Sequence, residues 1–358
     1  MRDTSFEFLK RLLDAPGPSG FETIPVRLWR AEAEKFVQGT QVDVLGNAIA
    51  TLNPGGSPRI MLAGHVDEIG LMITHIDDDG LLYLDGIGGW DPQVLVGQRI
   101  RVLGRTGEVM GVIGKKPIHL IKPDEREKAS KLTDLWIDVG AENCEAATAM
   151  GLRVGDPAVI DARLVELGGR RIASRSVDNR IGAWVVLEAL RVLAESGNSL
   201  TAQVSAVATT QEEIGYQGGG ARTSAFVLEP DVAIVVDVTF ATDVPGIEKK
   251  QVGEHKLGSG PVLGRGSASH PGVFERLAET AEAEGIPYTI EARPKQTSTD
   301  ADAIHVVRGG VATANISVPN RYMHSPNEVV SLDDLDATVR LIAAFCRGMT
   351  PDVHFTRG

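Results

Sequence analysis

At 358 residues the chain exceeds what one hydrophobic core usually supports, so one large or two modest domains are expected. Apolar residues at 42% and charged residues at 23% are the balance of a folded globular protein and exclude a disordered chain. The formal net charge of −12 excludes the basic stripe that a nucleic-acid partner requires to displace phosphate counterions.

Taken in chain order, the opening stretch MRDTSFEFLKRLLD sets Phe6, Leu9 and Leu13 at helical spacing among charges. It lacks the apolar core of a secretory leader, and no apolar run approaches the ~18 residues of a membrane span. A cytoplasmic protein with no membrane partner is expected. Helical periodicity follows over Ile24–Val37, and strand-like runs over Val42–Leu52 and Arg59–Ala63. From Leu71 to Leu167 the texture changes to many glycines and short strand-like pieces: Leu71–His75, Leu81–Leu84, Gln98–Val102 and Val109–Ile113. A single clear helix, Cys144–Met150, breaks the pattern. Short strands with regular turn signals predict a small β-module set into a larger fold. The expected division is 1–70 and 168–358 for the larger domain and 71–167 for the insert. Beyond it, helices over Ile181–Glu195, Val273–Glu284 and Leu335–Cys346 alternate with strands over Val204–Thr209, Val232–Val236, Tyr288–Ala292 and Ala312–Val318. That alternation predicts an α/β layered fold on a mainly parallel sheet. Ile181–Glu195 carries apolar residues on several faces, which predicts burial on two sides. Leu335, Val339, Ile342 and Cys346 form one stripe facing the sheet. Cys144 and Cys346 make no metal or redox motif and read as small buried hydrophobes.

Polar chemistry follows several strand-like runs directly. RIMLAGHVDEIG sets His65 and Asp67 just beyond one strand, and SVDNRIG sets Asp178 before the buried helix. VATTQEEIG ends a strand with Glu212 and Glu213, AIVVDVT ends another with Asp237, and ISVPNRYMHSPNE puts His324 in a following loop. Ligand sites in open parallel sheets form beyond the carboxyl ends of the strands, and mixed imidazole and carboxylate donors suit zinc, cobalt or manganese. Each residue also has an ordinary explanation: Asp178 as an N-cap, the glutamates as a solvated face, His324 as a hydrogen-bonded histidine. On spacing alone both readings stand. His75, His119, His255, His270, His305 and His354 sit in no ligand-like frame. The glycine-rich stretches GIGGWD, GYQGGGA and GSGPVLGRG lack the setting of a nucleotide site and read as turns or loops.

The blocks GHVDEIG, ASRSVDNRIGA, TTQEEIGYQGG, VVDVTFATDVPG and ISVPNRYMHSPNEVV, with KPIHL and LWIDVGA in the insert, run in one order over nearly the whole chain. In that order and spacing they resemble the co-catalytic metallo-aminopeptidases, the family of glutamyl, deblocking and tetrahedral aminopeptidases. The resemblance implies a zinc-peptidase-like three-layer α/β/α domain with a mostly parallel mixed sheet and an inserted β-barrel-like dimerisation domain. It implies two divalent metal ions per chain, zinc or cobalt before manganese. One would be held by His65, Asp178 and Asp237, the other by Asp178, Glu213 and His324. Glu212 would be the general base and Asp67 the carboxylate that orients His65. Peptides with free N-termini would be the substrates, and dimers could assemble into a hollow dodecamer. Asn179 stands where some relatives carry a second acid. Rival readings are another metallo-hydrolase on this scaffold, a non-catalytic relative, or a glycosidase. The last needs two carboxyls facing across a bond, which adjacent glutamates do not offer.

Overall fold

The computed structural model describes residues 1–197, 200–215 and 218–356. Its main sheet has eight strands, in the order Gln41–Val42, Ala48–Leu52, Gln203–Thr209, Arg59–His65, Val232–Phe240, Ala312–Asn320, Val262–Gly266 and Thr289–Arg293. The four central strands, from Gln203–Thr209 to Ala312–Asn320, run parallel, and antiparallel pairs flank them. These central strands are apolar almost throughout because helices cover both faces, as parallel sheets require.

On one face lie Asp3–Asp14, Thr23–Ala33, Val177–Glu195, Pro271–Ala283 and Leu332–Arg347, closing the main core. On the other, Gly219–Leu228 and Ala301–Ile304 bury Ala221, Ala225, Ala301 and Ile304 in a second, smaller core. The result is a three-layer α/β/α domain. As expected, Val177–Glu195 is buried on several faces, and Leu335, Val339, Ile342 and Cys346 all point inward. This helix approaches its sheet closely at one point: a Cβ on Gly64 would lie 2.4 Å from the Gly182 carbonyl carbon. Two glycines thus let the Asp178 turn settle against the strand that ends in His65.

The segment from 70 to 160 closes a barrel of six antiparallel strands. In barrel order these are Gly70–Ile76, Leu82–Ile87, Leu135–Asp138, Gly107–Lys115, Arg99–Gly104 and Pro157–Ile160, around their own apolar core. The sequence shows four of them; Leu135–Asp138 and Pro157–Ile160 are four residues each, too short to show a period. A small antiparallel sheet of Val165–Leu167, Arg171–Ser174 and Glu328–Ser331 follows the barrel and ties it to the loop that carries His324.

Several expectations need correction. Val42–Leu52 is two strands joined by a turn, in which Asp43 Oδ1 accepts from the N–H groups of Leu45 and Asn47, each at 3.0 Å, and Gly46 takes a φ of 95°. GSGPVLGRG contains the strand Val262–Gly266: its glycines permit close backbone approach, a Cβ on Gly266 falling 1.7 Å from the Arg293 carbonyl oxygen. GIGGWD remains in strand through Ile87, and GYQGGGA opens a helix at Gly219, with Tyr216 and Gln217 outside the described residues. Cys144 is only half-buried, because it opens a short helix on the outside of the barrel, whereas Cys346 is fully buried. Among the described residues no helix is long and apolar enough to cross a membrane.

Candidate metal centre

The seven predicted site residues converge at the carboxyl edge of the main sheet. His65 is the last residue of its strand. Asp237 lies within its strand rather than at its end, because Val232–Phe240 pairs in register with Ala312–Asn320 along its whole length. Glu212 and Glu213 lie in the loop after Thr209, and His324 in the loop after Asn320 with a φ of 59°. Asp178 is no N-cap, although its φ and ψ of −75° and 109° would suit one: its side chain turns to the imidazoles, and Asn179 accepts from Gly182 N–H instead. The peptide bond between Asp178 and Asn179 is cis.

The geometry centres on Asp178. Its Oδ1 lies 3.3 Å from His65 Nε2 and its Oδ2 lies 3.4 Å from His324 Nε2. His65 Nε2 is also 3.7 Å from Glu212 Oε2 and 3.9 Å from Asp237 Oδ1, while His324 Nε2 is 3.2 Å from Glu213 Oε2. Two triplets offer ligand atoms within 4.8 Å of one another: His65, Glu212 and Asp237, and His65, Asp178 and Glu213. Distance therefore groups Glu212 with His65, unlike the sets the resemblance implies, and leaves His324 between Asp178 and Glu213.

Burial makes this cluster electrostatically demanding. Burial pushes Glu212 and Asp237 well above the usual carboxylate range, with neighbouring carboxylates adding to it, and Glu213 up to about 7. Burial opposes charge on the imidazoles too, yet Glu212 and Asp67 raise His65, and Asp178 and Glu213 raise His324 to about 11. Asp178 is held low, burial being overruled by its hydrogen bonds to His324 and His65, and Asp67 is held low against its burial by the neighbouring His65. Oε1 of Glu213 is buried without a hydrogen-bond partner. Four carboxylates, Asp178 and Asp237 buried and Glu212 and Glu213 half-buried, face two imidazoles, and one has an orphaned oxygen; a divalent cation fits such a donor set.

Further residues fix the donors. Asp67, fully buried, lies 3.4 Å from His65 Nδ1 and accepts the backbone N–H groups of Glu212 at 3.3 Å and Glu213 at 3.1 Å, and the Ser19 hydroxyl. Glu328 accepts from the backbone of Asp178 at 3.1 Å and of His324 at 3.0 Å, so one buried carboxylate orients both sides of the cluster. Asn179 donates to the Val236 carbonyl at 2.7 Å and accepts from Gly182 N–H at 3.0 Å, a pair that an ionised acid there could not make. Beneath lies a buried ionic fork: Glu68 takes Arg180 at 2.9 Å on one oxygen and Arg175 on the other. The sequence reading did not single out Glu68, Arg175, Arg180 or Glu328. Each stands inside a quoted block, but its partners are distant in the chain.

Two cavities meet at Glu212 and Glu213. The smaller, about 280 Å³, covers the cluster and is lined further by Thr239, Phe240, Arg293 and Met323. The larger, about 670 Å³, extends past Arg222, Gln296 and Asp300. Ser298 and Thr299 border both, so a chain-like molecule can lie across the cluster with an end in each.

The chain resembles known proteins over nearly its whole length. The M42 glutamyl aminopeptidase family model matches residues 46–341. A lysyl aminopeptidase of Pyrococcus furiosus is 38% identical over 97% of this chain and 98% of its own. The crystal structure of a TET aminopeptidase from a marine-sediment Thaumarchaeota archaeon has a TM-score of 0.92 at 36% identity, covering 97% of both chains. The TET1 peptidase of Pyrococcus horikoshii, described as assembling into a tetrahedron or a large octahedral shell, has a TM-score of 0.85 at 32% identity, over 96% of this chain and all of that one.

Proposed function

The chain belongs to the M42 glutamyl aminopeptidase family, and from that premise we propose that it hydrolyses N-terminal residues from peptides at a pair of divalent cations. That it is a peptidase of the aminopeptidase class follows from the family; the metal pair and the residue roles are the proposal. The observation that carries it is Asp178, whose two oxygens face separate imidazoles at 3.3 and 3.4 Å. A carboxylate so disposed would serve both cations. His65 and Asp237 complete one site, and Glu213 and His324 the other. The donor set suits zinc or cobalt, then manganese. When bound, the ions would supply Lewis acidity toward the scissile carbonyl and lower the pKa of a shared water.

The chain's own residues do the rest. The Nδ1 hydrogen of His65 faces the main-chain carbonyl of Asp67 at 3.3 Å and its carboxylate at 3.4 Å, which keeps Nε2 free to ligate. Glu212 reaches into the cluster without being needed as a ligand, and its burial-raised affinity for protons suits a base that takes one from water and returns it to the leaving amine. Action at free N-termini is supported by the family, and the two cavities that meet at Glu212 and Glu213 leave room for a peptide across the cluster.

We assign residues 71–167 as the inserted association module, 1–70 and 168–358 being catalytic. Met110, Val112, Ile118 and Leu120, exposed on the barrel and the segment after it, support its use in dimers and, by likeness to the tetrahedral TET1 peptidase, a dodecamer. The cytoplasm is the proposed compartment.

The test is a panel of aminoacyl-p-nitroanilides and matched free and N-acetylated peptides, run on metal-free protein and after adding zinc, cobalt or manganese. Activity should require metal and a free amine. Full activity in protein shown metal-free by elemental analysis, or equal cleavage of the blocked peptide, would overturn the reading.

A further inference from the structure

Residues Thr210–Glu213 carry the chain from the end of a strand to the proposed base without regular structure. Their four successive backbone N–H groups are nevertheless all taken by side chains from other segments. Asn47 accepts from Thr210 at 2.9 Å, Glu22 from Gln211 at 3.2 Å, and Asp67 from Glu212 at 3.3 Å and Glu213 at 3.1 Å. Gln211 is the difficult member: its φ of 62° lies in the left-handed region, which a residue with a side chain holds only where its surroundings impose it.

Glu22 imposes it from an unlikely position. It is 5% exposed, at the start of Thr23–Ala33, with no basic partner among the described residues. Burial and the nearby Asp67 both oppose its charge. A carboxylate kept under those conditions needs a use, and the hydrogen bonds define one. The oxygen that takes Gln211 N–H also takes Gly20 N–H at 2.7 Å, while Ser19 of the same turn donates to Asp67. Glu22 therefore holds the Glu212 loop directly at Gln211, and Ser19 of the same segment, PGPSGFE, braces it through Asp67, although Glu22 lines neither cavity over the cluster.

We infer that Glu22 is a positioning residue for the general base: by holding the Gln211 peptide it fixes where the Glu212 carboxylate points. The inference rests on the reading of Glu212 as the base. Misplacing a reacting group by about 1 Å costs on the order of 10²-fold in rate, which sets the scale of the effect.

The experiment compares Glu22→Met, similar in size but without an acceptor, with Glu22→Gln, which keeps an acceptor oxygen. Both are made in the wild-type chain and in Glu212→Gln, and all are assayed metal-loaded on one aminoacyl-p-nitroanilide. Glu22→Met should lower kcat by about 10- to 100-fold, with KM and metal content near wild type, and Glu22→Gln should recover most of the loss. With Glu212 already replaced, Glu22→Met should scarcely change the residual rate, since no base remains to be placed. If the methionine chain does not fold, Glu22→Ala replaces it. An unchanged kcat in Glu22→Met, no recovery with glutamine, or an equal loss in both backgrounds would overturn the inference. Full activity in Glu212→Gln alone would instead remove the base reading, and is recognised separately.

Discussion

Replacing Asp67 by asparagine tests how the cluster is held. The carboxylate is fully buried, and its oxygens together face His65 Nδ1, the Ser19 hydroxyl and two backbone N–H groups. An amide keeps one acceptor oxygen, which can serve Glu212 N–H and His65. Its NH₂ group then faces Glu213 N–H, donor against donor, while Ser19 can rotate to accept. One buried N–H is left unpaired, a cost of about 1–3 kcal/mol. In a chain of 358 residues that lowers Tm by only a few degrees. The functional effect should be larger, because the negative charge that turns His65 Nε2 toward the cluster is lost as well. Outer-shell carboxylates of this kind are worth about 10- to 100-fold in metal affinity or activity. Competition with a chelator would measure the metal Kd, and p-nitroanilide hydrolysis at saturating metal would measure kcat/KM. Metal affinity and kcat/KM both within twofold of wild type would refute the role given to Asp67.

Asp178→Asn should weaken both metal sites at once, taking metal content from two ions per chain toward none and kcat/KM down by at least about 10²-fold; two ions still tightly bound would exclude bridging. Metal binding should release protons, because in the metal-free cluster Asp178 and Glu213 raise His324, against its burial, to about 11, and burial raises Glu213 to about 7. Ligation needs both deprotonated, so affinity should rise with pH through neutrality; binding heats that do not vary with the buffer's ionisation enthalpy would contradict this. Arg180→Met leaves Glu68 with one basic partner, Arg175, beside the Gly17 N–H, and strips donors from the Val66 and Leu12 carbonyls, bound now at 3.0 and 2.8 Å. Loss of about 3–5 kcal/mol in denaturant unfolding is expected, and a loss under about 1 kcal/mol would refute the structural weight given to the fork.

Much of this was legible in the chain itself, for definite reasons. A helix buried on two sides betrays itself by apolar residues on several faces, and Ile181–Glu195 is such a helix. Covered parallel strands read as unbroken apolar runs, so a His or Glu directly beyond one stands out. What misled was local brevity. Four-residue strands carry no period, a tight hairpin such as Val42–Leu52 can look like one strand, and glycines that look like turns can instead allow two backbones to touch, as at Gly266.

The division is sharpest at the site. Sequence by itself determined which donors the chain can bring to a site, because donor types and their order along the chain are covalent facts: two imidazoles, a run of carboxylates and a buried helix behind Asp178. The tertiary structure alone decided what surrounds each carboxylate. Glu22 lies 189 residues from Gln211 and Glu328 lies 150 from Asp178, so in the chain each is only a glutamate beside a helix or a strand. Burial and hydrogen-bond partners are properties of the folded surroundings, and those surroundings exist only once distant segments have closed over them.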